Sequence, residues 1–218
     1  MERIPTHLTK QGRTDEVVFS DRAMVYRGKE IAYDDATGIA FSQSNRSGRF
    51  LYHNRGSVLV HSPSVGIKMR FAYDGICSGG AKWAAMFALD KATNYRKISE
   101  MVLRQFGPHI LARMVATIMQ GCTARIGSLE FDRKGITNSG VFGTRKRANW
   151  GQLPEVRSTS KAPWYSYTST SGIIEISYQH PPTGQMVVIG TTSSAEKNGC
   201  LVTLLIETMK GLLAQQPS

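Results

Sequence analysis

The chain has 218 residues, 41% hydrophobic and 20% charged, which is enough apolar material for a packed core and enough length for one large domain or two small ones. Lys and Arg number 27 against 16 Asp and Glu, a formal charge of +11 that favours anionic partners and carries no information on fold. Cys77, Cys122 and Cys200 are widely spaced and form no CxxC pair, which argues against a disulfide framework or structural zinc knot, and no apolar run reaches the roughly 18 residues of a membrane span.

The opening segment MERIPTHLTKQGR lacks the apolar stretch of a secretory signal, so a soluble, cytoplasmic protein in a reducing compartment is expected. From Val17 to Phe41, the short β-rich runs VVFS, AMVYRG, EIAY and GIAF are separated by tight polar joints at Ser20-Asp21-Arg22, Gly28-Lys29 and Asp34-Asp35. Such spacing predicts consecutive antiparallel strands. RFLYH, SVLVH and GIKMRFAY continue the meander, and the last alternates Ile67, Met69 and Phe71 with Lys68 and Arg70, as a strand with one wet face should.

After the Gly- and Ser-rich loop Asp74–Gly80 comes AKWAAMFALD, a helix on propensity alone. An N-cap at Thr93 or Asn94 then opens a helix carrying Tyr95, Ile98, Met101, Val102 and Phe106 at helical spacing, with Glu100 and Arg104 paired outside. Gly107-Pro108 breaks it, and Pro108 starts a second helix with the apolar stripe Ile110, Leu111, Met114, Val115, Ile118 and Met119 and Gly121 as its C-cap. The rest is β-rich up to a closing helix from about Ser193, where Ser193-x-x-Glu196 has capping-box spacing.

The two halves repeat. Strand, Asp21-Arg22, strand, turn and a run ending in Tyr33 parallel strand, Asp132-Arg133, strand, turn and a run ending in Trp150. Arg49–Tyr73 then parallels Trp164–Gln179, and KWAAMFALD falls opposite QMVVIGTTS, so position in the repeat predicts a strand over Lys82–Leu89 against its local propensity. Each unit thus reads as about seven strands followed by one helix.

The segment Gln120-Gly121, Ile126-Gly127-Ser128-Leu129-Glu130-Phe131-Asp132-Arg133-Lys134-Gly135-Ile136 and Trp150-Gly151-Gln152-Leu153 resembles the opening of pleckstrin-homology-like (PH-like) domains in a group of bacterial proteins, where a G-x-L-x-hydrophobic-D-x-x-G-I hairpin precedes a basic strand and a W-x-x-hydrophobic strand. The resemblance covers Gly121–Ala214 and, through the repeat, Asp15–Phe106 more loosely; the first unit departs from it with Ala23 in place of Gly135 and Tyr33 in place of Trp150. It implies an α+β chain of two tandem PH-like domains, each a bent antiparallel sheet of about seven strands capped by a C-terminal helix. These occupy 15–106 and 121–215, joined by a connecting helix at 107–120. It also implies a non-catalytic binding or scaffolding module.

Reactive constellations are sparse. His53 and His61 fall at the ends of neighbouring predicted strands and could meet, yet no carboxylate or cysteine lies beside them at metal-ligand spacing. Cys200 lies among the apolar residues of the last helix, no histidine is placed to activate Cys77 or Cys122, and Asp34-Asp35 point to opposite faces of a strand or end it. The two Ser-x-x-Lys matches, Ser158–Lys161 and Ser194–Lys197, lack the supporting motifs of penicillin-binding enzymes. No enzyme activity, cofactor or metal is expected.

One cluster has chemical potential: Arg145, Lys146 and Arg147 after a glycine turn, with Arg133 and Lys134 on the preceding hairpin. Together they could hold phosphate or a carboxylate-rich protein surface, or act as edge charges that discourage sheet-to-sheet association. The joints Ser20-Asp21-Arg22 and Asp132–Gly135 are too short to wrap a phosphoinositide headgroup. The expected partner is therefore an acidic protein, bound by strand addition to an open sheet edge with the basic hairpins as selector. The alternatives are nucleic acid, bound through the distributed charge, and peripheral attachment to an anionic membrane. Self-association through the 108–120 helix is a further option.

Overall fold

The computed structural model describes residues 1–8, 14–47, 51–76, 82–139, 145–153, 156–159, 168–169, 173–180 and 182–215. Among the described residues it is an α+β chain of antiparallel sheets and two α-helices, divided into two compact units. The first holds Met1–Ile110 together with one two-residue strand from later in the chain; the second begins at Leu111.

The first unit opens with a four-stranded meander, β1 (Glu2–Leu8), β2 (Thr14–Phe19), β3 (Ala23–Tyr26) and β4 (Lys29–Ala32), paired in chain order. Long strands β5 (Gly38–Ser47), β6 (Leu51–His61) and β7 (Gly66–Ile76) form a second meander, followed by α1 (Lys82–Met119). Alternation along β7 is as expected: Ile67, Met69 and Phe71 are buried while Lys68 and Arg70 are exposed. The second unit has β8 (Ala124–Ile126), β9 (Leu129–Asp132), β10 (Gly135–Ser139) and β11 (Arg145–Asn149) in one four-stranded meander, then a single 3₁₀ turn over Trp150–Gln152. There follow β12 (Val156–Thr159), β14 (Ile173–Gln179) and β15 (Met186–Ser193) in a three-stranded sheet; β13 (Thr168–Ser169), between β12 and β14 in the chain, belongs to the first unit and pairs with β5. A 3₁₀ turn, Gly199–Leu201, leads into α2 (Val202–Ala214).

The structure corrects the sequence reading at several points. Lys82–Leu89 is helical, the first turns of α1, as its Ala-rich composition favours. The missing strand is β1, which lies before Asp15 and pairs along its length with β2, with an irregularity between Pro5 and His7. Ile4 and Thr6 are buried and Pro5 is exposed on this edge strand, which is where a strand tolerates proline. With β1 counted, β7 rather than KWAAMFALD stands opposite β15, and the repeat is shifted by one strand. Residues Thr93 and Asn94 lie inside α1 rather than capping it, and α1 runs unbroken through Pro108, so the 107–120 helix is its continuation. Proline costs a helix interior about 3 kcal/mol; Phe106 and Ile110 on either side of it are both buried, and that packing offsets the loss. Gly121 ends α1 with φ +85°, its N–H bonding Ile118 and that of Cys122 bonding Thr117, a Schellman cap. Glu100 pairs with Arg96 at 2.7 Å rather than with Arg104. Ser193 closes β15 and begins a turn, so the last helix starts at Gly199, not Ser193.

In each unit an aromatic residue directly after the fourth strand donates a hydrogen bond to the carbonyl at the end of the second. Tyr33 Oη reaches Ser20 O at 2.7 Å and Trp150 Nε1 reaches Asp132 O at 3.1 Å. The turn between second and third strands is fixed in the same way in both. Ser20 Oγ accepts from the N–H groups of Arg22 and Ala23, and Asp132 Oδ1 from those of Lys134 and Gly135. Ser20, not Asp21, is therefore the counterpart of Asp132.

The helices seat on these corners. Tyr33 meets Phe106 of α1 edge to face, ring centroids 4.9 Å apart, and Lys210 of α2 donates to Leu153 O at 2.6 Å, just past Trp150. Higher on α1, Tyr95 lies against β6, its hydroxyl donating to Ser42 O at 3.2 Å; a Cβ on Gly56 would sit 2.8 Å from its ring. Gly56→Ala is expected to cost about 1–3 kcal/mol by overpacking, measured as a fall in urea midpoint, and the double variant with Tyr95→Leu should recover part of that loss.

Candidate functional site

The five cations singled out from the sequence lie on one meander but do not act together. The β9–β10 turn presents Arg133 and Lys134, both exposed. On β11, Arg145 and Arg147 share the outer face, while Lys146 and Ala148 point to the other, where Ala124, Ile126, Leu129, Phe131 and Ile136 form the core.

Strand register places Arg125, Glu130, Thr137 and Arg147 in one row across β8, β9, β10 and β11. Arg125 binds one oxygen of Glu130 at 2.7 Å and Arg145 lies 3.7 Å from the other. Arg147 bonds both oxygens of Asp132, at 2.8 and 2.9 Å. Asp132 thus fixes its own turn and holds Arg147, whereas Arg125 and Arg145 share a single carboxylate. The side chains of Arg125 and Arg145 are 74% and 68% exposed, against 37% for Arg147.

Lys146 has a different task. It donates to Val188 O at 3.0 Å, and Asn138 Nδ2 donates to Ile189 O at 2.8 Å. Ile189 is the extra residue where the β14–β15 register shifts, so side chains of β10 and β11 bond two successive carbonyls of edge strand β15 at that irregularity. Arg133 and Lys134 stand exposed in their turn, and Arg125 and Arg145 are exposed beside the one Glu130 carboxylate they share; Arg147 and Lys146 are engaged in holding the unit. Sequence reasoning missed Arg125. Its signal was the Gly127-Ser128 joint, which folds Arg125 back opposite Glu130.

Other candidates separate. His53 and His61 lie on the same strand, β6, eight residues and about 26 Å apart, and cannot meet. Asp34 and Asp35 sit in the turn after β4. Among the described residues no group of three His, Cys, Asp or Glu side chains is placed to hold a metal. Burial pushes the Cys200 thiol up to about 12, far from nucleophilic, while Cys122 is exposed. Cys77, Lys161 and residues 140–144 lie outside the described residues. Among the described residues no helix is long and apolar enough to cross a membrane.

No family model matches the chain, and no curated protein sequence matches it.

Thr137 is 1% exposed and its Oγ1 has no hydrogen-bond partner among the described residues. An unpaired buried hydroxyl costs about 1–3 kcal/mol, so Thr137→Val should leave stability unchanged or raise it by about 1 kcal/mol in chemical denaturation. Replacement of Arg147 by Met should lower stability by up to about 1 kcal/mol, while Arg133→Ala and Lys134→Ala stay within about 0.5 kcal/mol of the parent.

Proposed function

We propose that the chain is a non-catalytic binding protein of two tandem PH-like domains, and that the second binds an acidic protein partner through the outer face of β8–β11. The recurrence supports the fold reading: in both units a four-stranded meander closed by an aromatic-to-carbonyl bond is followed by a three-stranded meander and a helix. The observation that carries the functional reading is the imbalance on that face. Arg125 and Arg145 compete for Glu130, and Arg133 and Lys134 stand exposed beside them in the turn.

Guanidinium groups already held near a carboxylate are arranged for a second one. A partner carboxylate that takes Arg145 leaves Glu130 paired to Arg125, so no charge is stranded by the exchange. The partner's main chain has a template in β12, whose only strand neighbour among the described residues is β14. The opposite edge of that sheet, β15, is occupied around Val188 and Ile189 by Lys146 and Asn138.

Fluorescence anisotropy with a labelled Asp/Glu-rich peptide, compared with a short DNA duplex, tests the proposal. The acidic peptide is expected to bind, and Arg125→Glu with Arg145→Glu to weaken it at least tenfold, about 1.4 kcal/mol. Tighter binding of the duplex with a steep salt dependence, or indifference of the peptide to the double charge reversal, overturns it.

A further inference from the structure

The second meander of the first unit keeps its cations on one side. Ile67, Met69 and Phe71 of β7 are buried, and Gly56 of β6 lies against Tyr95 of α1, so the alternate positions face away from the core. On that outer side Lys68 and Arg70 are exposed, and Ser42, Ser57 and Leu59 are half-buried. Strand register orders the face in rows: Leu59 with Lys68, Ser42 and Ser57 with Arg70, Ser44 and Ala72 with Arg55, and His53 and Asp74 with Arg46. Each row holds one arginine or lysine, and from Arg70 onward each lies one strand nearer β5 than the last. Neighbouring positions on this diagonal are about 7–8 Å apart.

Carboxylates are scarce there. The three strands carry a single acid, Asp74, in the last row. Arg3, Arg125, Arg145 and Arg147, on strands elsewhere, each meet a carboxylate at between 2.7 and 3.9 Å. Lys68 and Arg70 meet none among the described residues.

We propose that this face binds single-stranded nucleic acid, its phosphates following the diagonal from Lys68 through Arg70 and Arg55 to Arg46. An extended strand carries one charge per nucleotide, at a repeat these positions match. Ser42 and Ser57 lie on the path, Oγ to Oγ at 2.6 Å; one hydroxyl proton is used between them and the other remains for a phosphate oxygen. Protection of a sheet edge would account for Lys68 and Arg70 on β7, but not for Arg55 on β6, which lies between β5 and β7. An acidic peptide added as a strand would run along an edge, not across three strands. A bilayer calls for apolar side chains among the cations, and none of the described large exposed hydrophobic residues lies on this face. With β5 and β7 about 10 Å apart, the face is narrower than a duplex and offers one line of charge. No Phe, Tyr or Trp occupies an outer position on the three strands, so affinity comes from phosphate contacts and is indifferent to base sequence.

Fluorescence anisotropy of the full chain with labelled oligothymidylate and oligouridylate of about 15 nucleotides tests the proposal. Both are expected to bind in the micromolar range at low salt, with log K falling against log salt at a slope of about −3, from four contacts at about −0.7 each. Lys68→Gln with Arg70→Gln should weaken binding at least tenfold and reduce the slope by about half, with an unchanged circular dichroism spectrum. Arg55→Gln alone should reduce the slope by about 0.7, and Arg55→Lys should keep the parent slope. Arg125→Gln with Arg145→Gln should leave the slope unchanged, which separates this face from β8–β11. Absence of binding at about 100 μM chain in low salt overturns the proposal. So does a slope that the substitutions on β6 and β7 do not move, or tighter binding of a duplex of equal length. Binding to phosphatidylcholine–phosphatidylglycerol vesicles that is lost on Lys68→Gln with Arg70→Gln, without oligonucleotide binding, overturns it in favour of a lipid surface.

Discussion

Each unit depends on one hydrogen bond, from an aromatic side chain after the fourth strand to the main-chain carbonyl that ends the second. A four-stranded meander presents one apolar face and leaves its corner open. Tyr33 and Trp150 occupy that corner with a ring while their polar atoms satisfy a carbonyl at the turn. A buried aromatic needs such a partner for its polar end, and the partner fixes where the ring can stand. In the first unit the ring then receives Phe106 of α1; in the second, Trp150 stacks over Phe131 with centroids 6.5 Å apart, and the chain beyond it holds Lys210 of α2. Burial of Tyr33 also raises its phenol above the usual range, with Asp21 adding to the effect.

The parts of this scheme legible in the sequence are those where local chemistry and tertiary role agree. Asp132-x-x-Gly135 reads as a turn because the carboxylate caps the N–H groups that follow, and the alternation of β7 reads as a half-buried strand because it is one. β1 was missed because Pro5 and a polar Thr6 dilute its alternation: Thr6 is buried only because its hydroxyl bonds Asp15 O at 2.8 Å, a partner that sequence does not reveal. Losing β1 then forced a strand onto Lys82–Leu89, so one omission produced the second error. Pro108 misled for a different reason. It is exposed, and the helix bond it removes is outweighed by the burial of its neighbours, a balance set by packing.

At the candidate site, sequence identified a run of three cations and could not say what each would meet. Strand alternation sends Arg145 and Arg147 one way and Lys146 the other, and Val188 O on edge strand β15, far along the chain, gives Lys146 its acceptor. Charge counted along the chain therefore overstates the charge available to a ligand on β11. The same alternation adds Arg125, which no run of cations announced.

The two units share their ties and differ in their faces, and the difference localises the proposed binding. Across the first meander the register sets Arg3, Val18, Val25 and Glu30 in one row, the counterpart of Arg125, Glu130, Thr137 and Arg147 in the second. The aromatic corner survives the change, since Ser20 caps its turn as Asp132 does. The charge does not: Ser20 is neutral, Val18 replaces Glu130, and the fourth strand offers Glu30 where the second unit has Arg147. The carboxylates of the first unit's second strand are placed elsewhere, Glu16 3.9 Å from Arg3 and Asp15 accepting from Arg27, and its fourth strand has no arginine to fix. Asp132 and Glu130 thus serve as the frame on which a cationic face is ordered, and the single-copy occurrence of that frame is why the proposed acidic partner is assigned to the second unit alone.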